Sequence, residues 1–278
     1  MDHDRDQRGR RMSEPTTNRA VLAGDAYASG RHLSARQALY DYQTPTYNLP
    51  GIILGNLSAV SGVVVDVGCG NGRYVRRLRA ERPDLTTIGL DIAAGILHEV
   101  PPPVVVADAA ALPFRDHTAS AVLAMHMLYH VTDTEAGLAE LARVVRPDGV
   151  LVASTNADDD KRELDDLWSA AAADVLGTST GPRRISLSSR FPLDQAPARL
   201  GRYFADVRVI ELPGTIAVTE PEPVLAHLAS YRAWAHQAGV PFEPTLRRVR
   251  ERLTATIERD GKFVISCLGG IVVSGGGR

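Results

Sequence analysis

The chain has 278 residues, 44% of them hydrophobic, and a formal net charge of −2, which predicts one elaborated domain with a large buried core. This charge provides no global basic field to gather nucleic-acid phosphates, so a small-molecule partner is favoured over nucleic acid. Two cysteines give no disulfide framework, and no apolar run reaches the length of a membrane span or forms a secretory signal, so we expect a cytoplasmic protein without membrane contact.

The N-terminal part of the chain divides in two. Residues 1–18 are charged and turn-rich and predict a disordered tail. Two stretches of helical periodicity follow and predict a helical cap over residues 19–60. Arg36, Tyr40 and Tyr42 are candidates for a pocket wall there, and a surface arginine with core tyrosines is the alternative interpretation.

The most informative stretch is residues 63–72, VVVDVGCGNG, in which a β-branched run ends in three alternating glycines and a helical pattern follows. This pattern predicts a buried strand, a tight turn and a helix N-terminus. Glycines let a ligand approach the backbone and permit positive φ. A dinucleotide-binding fingerprint would need its third glycine at position 73, where this chain has Arg73. Asp66, at the strand end, would repel a pyrophosphate but would attract a cationic ligand.

S-adenosylmethionine meets these requirements. Its sulfonium and amino groups are positive, and its carboxylate can use the amides and the positive dipole end of the following helix. The stretch resembles the first motif of the class I S-adenosylmethionine-dependent methyltransferases in the residues Asp66, Val67, Gly68, Cys69, Gly70, Asn71 and Gly72.

Further strands follow in the order of that family. Residues 88–91 predict a second strand, 104–109 a short third strand after a proline run, and 119–125 a fourth strand. Residues 141–153 predict a helix, a turn at Pro147-Asp148-Gly149 and a fifth strand. Several ordered matches make coincidence a poor explanation.

Two of these strands end in carboxylates. Asp91 follows the glycines by about twenty residues, the place where an acid can hydrogen-bond both ribose hydroxyls. The resemblance implies that Asp108 meets the adenine amino group while neighbouring backbone brackets the ring. The predicted cofactor-binding residues are Asp66, Gly68, Cys69, Gly70, Asn71, Gly72, Asp91, Ile92, Asp108, Ala109, Met125 and Arg36.

The C-terminal half predicts a strand over 204–212 with an extension past the break at Pro213, then two amphipathic helices, then strand pieces at 261–266 and 270–273. This order resembles the family's antiparallel hairpin with a helical insertion, here a lid over about 221–259. The resemblance implies an α/β, Rossmann-like fold with a seven-stranded, mostly parallel sheet and an antiparallel last strand. It divides one domain, residues 19–278, into the cap, a core over 61–155 and a C-terminal half over 156–278.

Three consecutive aspartates, residues 158–160, raise the question of a metal. Methyltransferases of the catechol type also need a carboxylate at the end of the fourth strand, and this chain has Met125 and His126 there. N-capping and a negative first turn of a helix explain the aspartates without a metal. We therefore expect no metal.

The predicted catalytic residues, His130 and Tyr129, lie in the loop after the fourth strand, which faces the methyl group in relatives. Methyl transfer from a sulfonium is an in-line displacement, so alignment of the acceptor supplies much of the rate. A hydroxyl acceptor must also lose a proton, and a histidine titrates near working pH. The alternative is a histidine that only braces the loop.

Three functions remain open from the sequence. The favoured one is a methyltransferase acting on a small molecule, such as a metabolite or natural product, in a monomer or homodimer. The second is an RNA or protein methyltransferase, and the third is a protein that binds S-adenosylmethionine without transferring its methyl group. The sequence does not identify whether oxygen, nitrogen or carbon is the acceptor.

Overall fold

The computed structural model describes residues 15–277. Most of the predicted N-terminal tail, residues 1–14, lies outside the described residues. Its last residues differ from the prediction, because Pro15–Thr17 form a 3-10 turn and the Asn18 side chain caps the next helix by accepting from Ala20 and Val21 N–H groups.

The described residues form one eight-stranded sheet in the order β1-β7-β8-β6-β5-β2-β3-β4. The strands are β1 Gln43–Thr44, β2 Val63–Val67, β3 Thr86–Asp91, β4 Val104–Val106, β5 Ala119–Met125, β6 Val145–Asn156, β7 Phe204–Val218 and β8 Phe263–Gly277. Strands β2 to β6 pair in parallel, and β8 pairs antiparallel with both β6 and β7. The predicted Rossmann-like sheet with an antiparallel last strand is confirmed, with one strand more than expected.

The additional strand is β1. It pairs antiparallel with β7 through Gln43–Ile216 and Thr44–Thr215. The sequence predicted only helix in this part of the cap, because a two-residue strand has no periodicity to detect.

The central strands are buried because helices cover both faces of the sheet. All seven residues of β5 and the last four of β2 are buried, as expected for parallel strands of β-branched and small residues. The α-helices are α1 Arg19–Val21, α2 Arg31–Ala38, α3 Leu49–Asn56, α4 Arg73–Glu81, α5 Ala94–Leu97, α6 Thr134–Val144, α7 Arg162–Leu176, α8 Ala196–Leu200, α9 Glu222–Ala229 and α10 Phe242–Asp260. The other helical segments are 3-10 or π turns at Leu22–Ala26, Leu39–Tyr42, Leu128–His130, Ser188–Arg190 and Arg232–Gln237.

Two strands are longer than predicted. β6 begins directly after α6 and includes Pro147-Asp148-Gly149, which the sequence predicted as a turn. The pairing of β5 with β6 shifts register between Ala119 and Ala121. The predicted turn is therefore an irregularity within the strand. β7 continues through Pro213, which pairs with Leu268. At Pro213, β7 is the edge of the sheet, where a proline is tolerated. β8 is likewise continuous where the sequence predicted two pieces.

The segment predicted as a lid contains α9, the turn Arg232–Gln237 and α10, so three helical pieces replace the two expected. α10 packs against α7 through buried side chains that include Trp168, Val249 and Leu253. No helix in residues 15–277 is long and apolar enough to cross a membrane. The carboxyl ends of β2, β3 and β5 meet at one edge of the sheet, the position at which open α/β sheets bind ligands.

Candidate cofactor and acceptor site

A cavity of about 210 Å³ opens at this edge of the sheet. Its floor is formed by the loops after β2, β3, β4 and β5, and α2 and α9 contribute residues from above. Of the twelve predicted cofactor residues, the cavity wall includes Gly68, Cys69, Gly70, Asn71, Asp91, Ile92, Asp108, Ala109, Met125 and Arg36. Asp66 and Gly72 are not part of the wall.

The glycine loop needs glycine for both backbone conformation and space. Gly68 and Gly70 have φ of +69° and +53°. A Cβ at Gly68 would lie 2.7 Å from Met127 Cβ, and one at Gly70 would lie 2.8 Å from a Leu33 methyl carbon. Alanine at either position would combine a strained backbone with a steric clash. The loop therefore presents bare backbone to the cavity.

Asp91 ties the loop to the end of β3. One of its carboxylate oxygens accepts a hydrogen bond from Gly70 N–H and the other accepts from Ala93 N–H, both at 2.9 Å. Burial raises the pKa of Asp91, and these two amides act in the opposite direction. Each oxygen has a further lone pair, so the carboxylate fits the predicted contact with a ribose hydroxyl.

Asp66 lies beneath the loop, fully buried. Neither carboxylate oxygen has a hydrogen-bond partner within the described residues. Burial, and then the charge of Asp91, raise the pKa of Asp66 to about 8. The carboxyl group is therefore largely protonated at neutral pH, and its predicted role toward a cationic ligand stays a prediction.

Asp108 lies on the cavity wall, two residues after the end of β4. Its carboxylate accepts from Ala110 N–H at 2.9 Å and forms an ion pair with Arg19, whose side chain is mostly exposed. An exposed ion pair of this kind adds little stability. The predicted contact of Asp108 with an adenine amino group stays a prediction.

One face of α2 covers the glycine loop. The cavity is lined by Leu33, Arg36 and Gln37 of α2 and by Tyr40 of the following turn, at the i, i+3, i+4 and i+7 spacing of a helix face. Gln37 accepts a hydrogen bond from the Asn71 amide at 3.4 Å. The sequence pointed to Arg36 and Tyr40 but not to the other two, although the spacing was visible. The third candidate of the cap, Tyr42, is 46% exposed and lies away from the wall.

His130 and Tyr129 both line the cavity, as predicted. His130 Nδ1 donates to the Thr16 carbonyl at 2.9 Å, so Nε2 accepts from the Tyr27 hydroxyl at 2.7 Å. Burial lowers the pKa of His130 to about 4. Burial also raises the pKa of Tyr129 well above its ordinary value. Both residues are neutral at pH 7, and both His130 nitrogens are engaged.

His126 is a further cavity residue at the end of β5. It has φ of +52°, rare for a residue with a side chain, and burial lowers its pKa to about 4. Its backbone N–H donates to the Ser154 carbonyl at 3.1 Å. Backbone strain of this kind is tolerated where it positions a side chain.

Asp160 and Lys161 form a buried ion pair on the wall, 2.5 Å apart, and Lys161 also donates to the Tyr40 hydroxyl at 2.6 Å. The other oxygen of Asp160 accepts from Leu268 N–H at 3.0 Å. The expected N-capping role is therefore wrong for Asp160, because Lys161 is the residue before α7 and makes no side-chain cap. Across residues 15–277, no three histidine, cysteine or carboxylate side chains are grouped as a metal site would need.

Sequence reasoning did not identify several residues of the wall. Tyr27, Lys161, Arg184 and Ser188 come from separate parts of the chain and meet only in the fold. His227 and Tyr231, on the predicted lid, do reach the wall, whereas Trp168, Phe191 and Trp234 are buried in the core.

Residues 65–153, from β2 into β6, match the family model of the methyltransferase domain. This segment is a methyltransferase domain. The match covers the glycine loop, Asp91, Asp108 and the loop after β5, and it confirms the resemblance to class I methyltransferases.

Two curated relatives share this region. A tRNA (carboxymethyluridine(34)-5-O)-methyltransferase of Arabidopsis thaliana is 31% identical over 127 residues, which is 43% of this chain and 30% of that protein. A malonyl-[acyl-carrier protein] O-methyltransferase of Coxiella burnetii is 31% identical over 101 residues, 36% of each chain. The chain thus spans about a third of the length of these relatives.

Among solved structures, a protein described as a methyltransferase from an antibiotic biosynthesis pathway of Anabaena variabilis has a TM-score of 0.56 with 20% identity. The likeness covers 81% of this chain and 96% of that one. At this identity it shows a shared fold and no more.

Proposed function

We propose that this protein is an S-adenosylmethionine-dependent methyltransferase that acts on a small molecule. The observation that carries the proposal is the glycine loop tied to Asp91, exposed on a cavity wall within a methyltransferase domain. This cradle combines bare backbone amides with a ribose-directed carboxylate, and it has Arg73 at the position where a dinucleotide-binding fingerprint needs its third glycine.

The surrounding residues fit the cofactor. Gly68 and Gly70 let Met127 and Leu33 pack closely against the loop, which holds its bare backbone at the cavity wall. In this proposal Asp91 takes the ribose and Asp108 takes the adenine amino group. When bound, S-adenosylmethionine supplies an activated methyl group, and transfer depends on alignment with the acceptor atom. Asp66 is buried beneath the loop and has no hydrogen-bond partner within the described residues. A cationic ligand nearby would stabilise its ionised form.

We assign His130 to positioning in preference to proton removal. Its two ring nitrogens hold Thr16 and Tyr27, and these contacts attach the N-terminal segment to the loop after β5. With a pKa of about 4, the imidazole is also a weak base. This supports a mechanism in which the protein orients the acceptor and excludes water.

A small acceptor is supported by the way α2 and α9 close over the cavity. Arg36 from α2, and His227 and Tyr231 from α9 and the residues after it, line the cavity. Concave cavities with a few convergent polar groups are typical of small-molecule sites. The relatives named for tRNA and for an acyl-carrier protein match only part of this chain, so their acceptors are alternatives for the experiment to separate.

Calorimetry tests the cofactor. We expect micromolar binding of S-adenosylhomocysteine, about −8 kcal/mol, and no heat with NAD. Gly68→Ala should weaken this binding at least tenfold. Gly55→Ala, in α3 where a Cβ meets nothing within 4 Å, is the matched control and should not change it. Heat with NAD and none with S-adenosylhomocysteine would overturn the proposal.

Transfer is tested with S-adenosylmethionine labelled in its methyl group and the small-molecule, RNA and protein fractions of a cell extract. We expect label in the small-molecule fraction. Label in RNA or protein would indicate the second function, and cofactor binding without transfer to any fraction would indicate the third.

A further inference from the structure

Arg36 carries a buried charge that the protein does not neutralise. The side chain belongs to a residue only 8% exposed, on the cavity wall. Its Nη1 donates to the Ser230 carbonyl at 3.2 Å, and its Nη2 has no hydrogen-bond partner within the described residues. No carboxylate of residues 15–277 forms an ion pair with it. Burying an unpaired guanidinium lowers the stability of the fold unless a ligand anion pairs with it.

Aromatic rings surround this guanidinium. Its central carbon lies 5.1 Å from the Tyr27 ring centre, 5.7 Å from Tyr231 and 5.9 Å from Trp234. Rings hold a cation and exclude water without satisfying its N–H donors. Arg36 lines the cavity, so an anion that reached its guanidinium would form a charge-assisted hydrogen bond in a partly apolar setting, where such a bond is strong.

His227 adds a second unsatisfied polar group. It is 3% exposed, and neither ring nitrogen has a partner in the described part of the chain. Burial and then the charges of Lys161, Arg184 and Arg36 hold its pKa well below the ordinary value. Lys161 and Arg184 are paired with aspartates, Asp160 and Asp165, so Arg36 leaves this end of the cavity with an excess positive charge.

This end lies on the acceptor side of the cavity. Arg36 shares two neighbours with His130 of the loop after β5, since Tyr27 donates to His130 at 2.7 Å and Trp234 stacks on it at 6.2 Å. The glycine loop is covered instead by Leu33 and Gln37. The unpaired cation is thus placed beside the loop at which methyl transfer is proposed to occur.

We propose that Arg36 and His227 form a subsite that anchors a carboxylate group of an aromatic acceptor. This inference rests on the proposed function and narrows its substrate class to small aromatic acids. The guanidinium would take the carboxylate with its free Nη2, the imidazole would donate its N–H, and Tyr231 would pack against the acceptor ring. The carboxylate is an anchor, and the methyl group goes to another atom of the acceptor.

The test uses two isosteric probes, benzoate and benzamide, titrated into the full chain saturated with S-adenosylhomocysteine. We expect benzoate to bind at least tenfold more tightly than benzamide. Arg36→Met should abolish this preference. Arg31→Met, at an exposed arginine on the same helix, should preserve it.

Equal binding of the two probes by the parent protein would overturn the inference, whatever the variants do. It would also be overturned if Arg36→Met weakened S-adenosylhomocysteine but not 5′-methylthioadenosine, because Arg36 would then hold the cofactor's own carboxylate, as the sequence predicted. A variant that loses both nucleosides has not folded, and Arg36→Lys then takes its place and should retain part of the preference. Failure of the parent to bind S-adenosylhomocysteine contradicts the proposed function instead.

Discussion

Replacing Asp91 with alanine removes the acceptor of two backbone hydrogen bonds, from Gly70 and Ala93, each 2.9 Å long. A hydrogen bond to a charged group contributes about 1.5–3 kcal/mol, and the amides left behind would be buried and unpaired. The desolvation that raises the pKa of Asp91 offsets part of this gain. We therefore expect the free energy of unfolding to fall by about 2–4 kcal/mol. S-adenosylhomocysteine binding should weaken by a similar amount, roughly 30- to 1,000-fold, because the ribose contact and the loop are lost together.

Urea unfolding and calorimetry measure the two effects separately. Asp91→Asn keeps one acceptor oxygen and should lie between the parent and the alanine variant in both assays. Asp159→Ala, at an exposed aspartate, should match the parent. A folded Asp91→Ala protein with parental affinity would refute the ribose assignment, and unchanged unfolding would refute the role of Asp91 in holding the loop.

Three further predictions concern buried charge and the histidine. Because burial raises the pKa of Asp66 from 3.8 to about 8, its contribution to stability is full below about pH 4 and is lost as the pH rises toward 8. Asp66→Asn should remove this loss, seen as a smaller difference in Tm between pH 5 and pH 8, and an unaltered difference would contradict the buried state of Asp66. His130→Ala should lower the free energy of unfolding in urea by about 1–3 kcal/mol, because its hydrogen-bond partners are left unpaired. In both parent and variant, the rate of methyl transfer should not change with the titration of a histidine between pH 6 and pH 8. A rate change in this range that is present only in the parent would show that His130 is a base. Asp160→Asn should cost about 3–5 kcal/mol in the same unfolding assay, because Lys161 would remain buried and unpaired, and a cost near that of the control Asp159→Asn would refute the pairing.

The parts of the fold that the sequence predicted are those specified by local pattern. β2 and β5 are mostly apolar runs bounded by turns, and they are buried strands in the structure. The two-residue strand β1 has no such pattern. Pro213 suggested a break in β7, and the strand continues because its open edge requires no proline N–H.

The residues of the candidate site also divide into those that local sequence pattern predicts and those that it does not. The glycine loop, Asp91 and Asp108 come from the ends of consecutive parallel strands, so chain order alone placed them together. Arg184 and His227 reach the cavity only because distant segments fold over it, and periodicity carries no information on such packing. The buried pair of Asp160 and Lys161 could not be predicted for the same reason. Three adjacent aspartates are typical of a solvated helix start, and the contact of Asp160 with Leu268 of β8 forms only in the folded chain.

The most direct test of the central claim is a crystal structure of the protein with S-adenosylhomocysteine. We predict that the nucleoside lies along the ends of β2 and β3, with ribose hydroxyls about 2.6–3.2 Å from the Asp91 carboxylate and the adenine amino group at the same range from Asp108. Its sulfur should face the loop that carries Tyr129 and His130. Density for the nucleoside away from the glycine loop, or ribose hydroxyls that do not contact Asp91, would contradict the account.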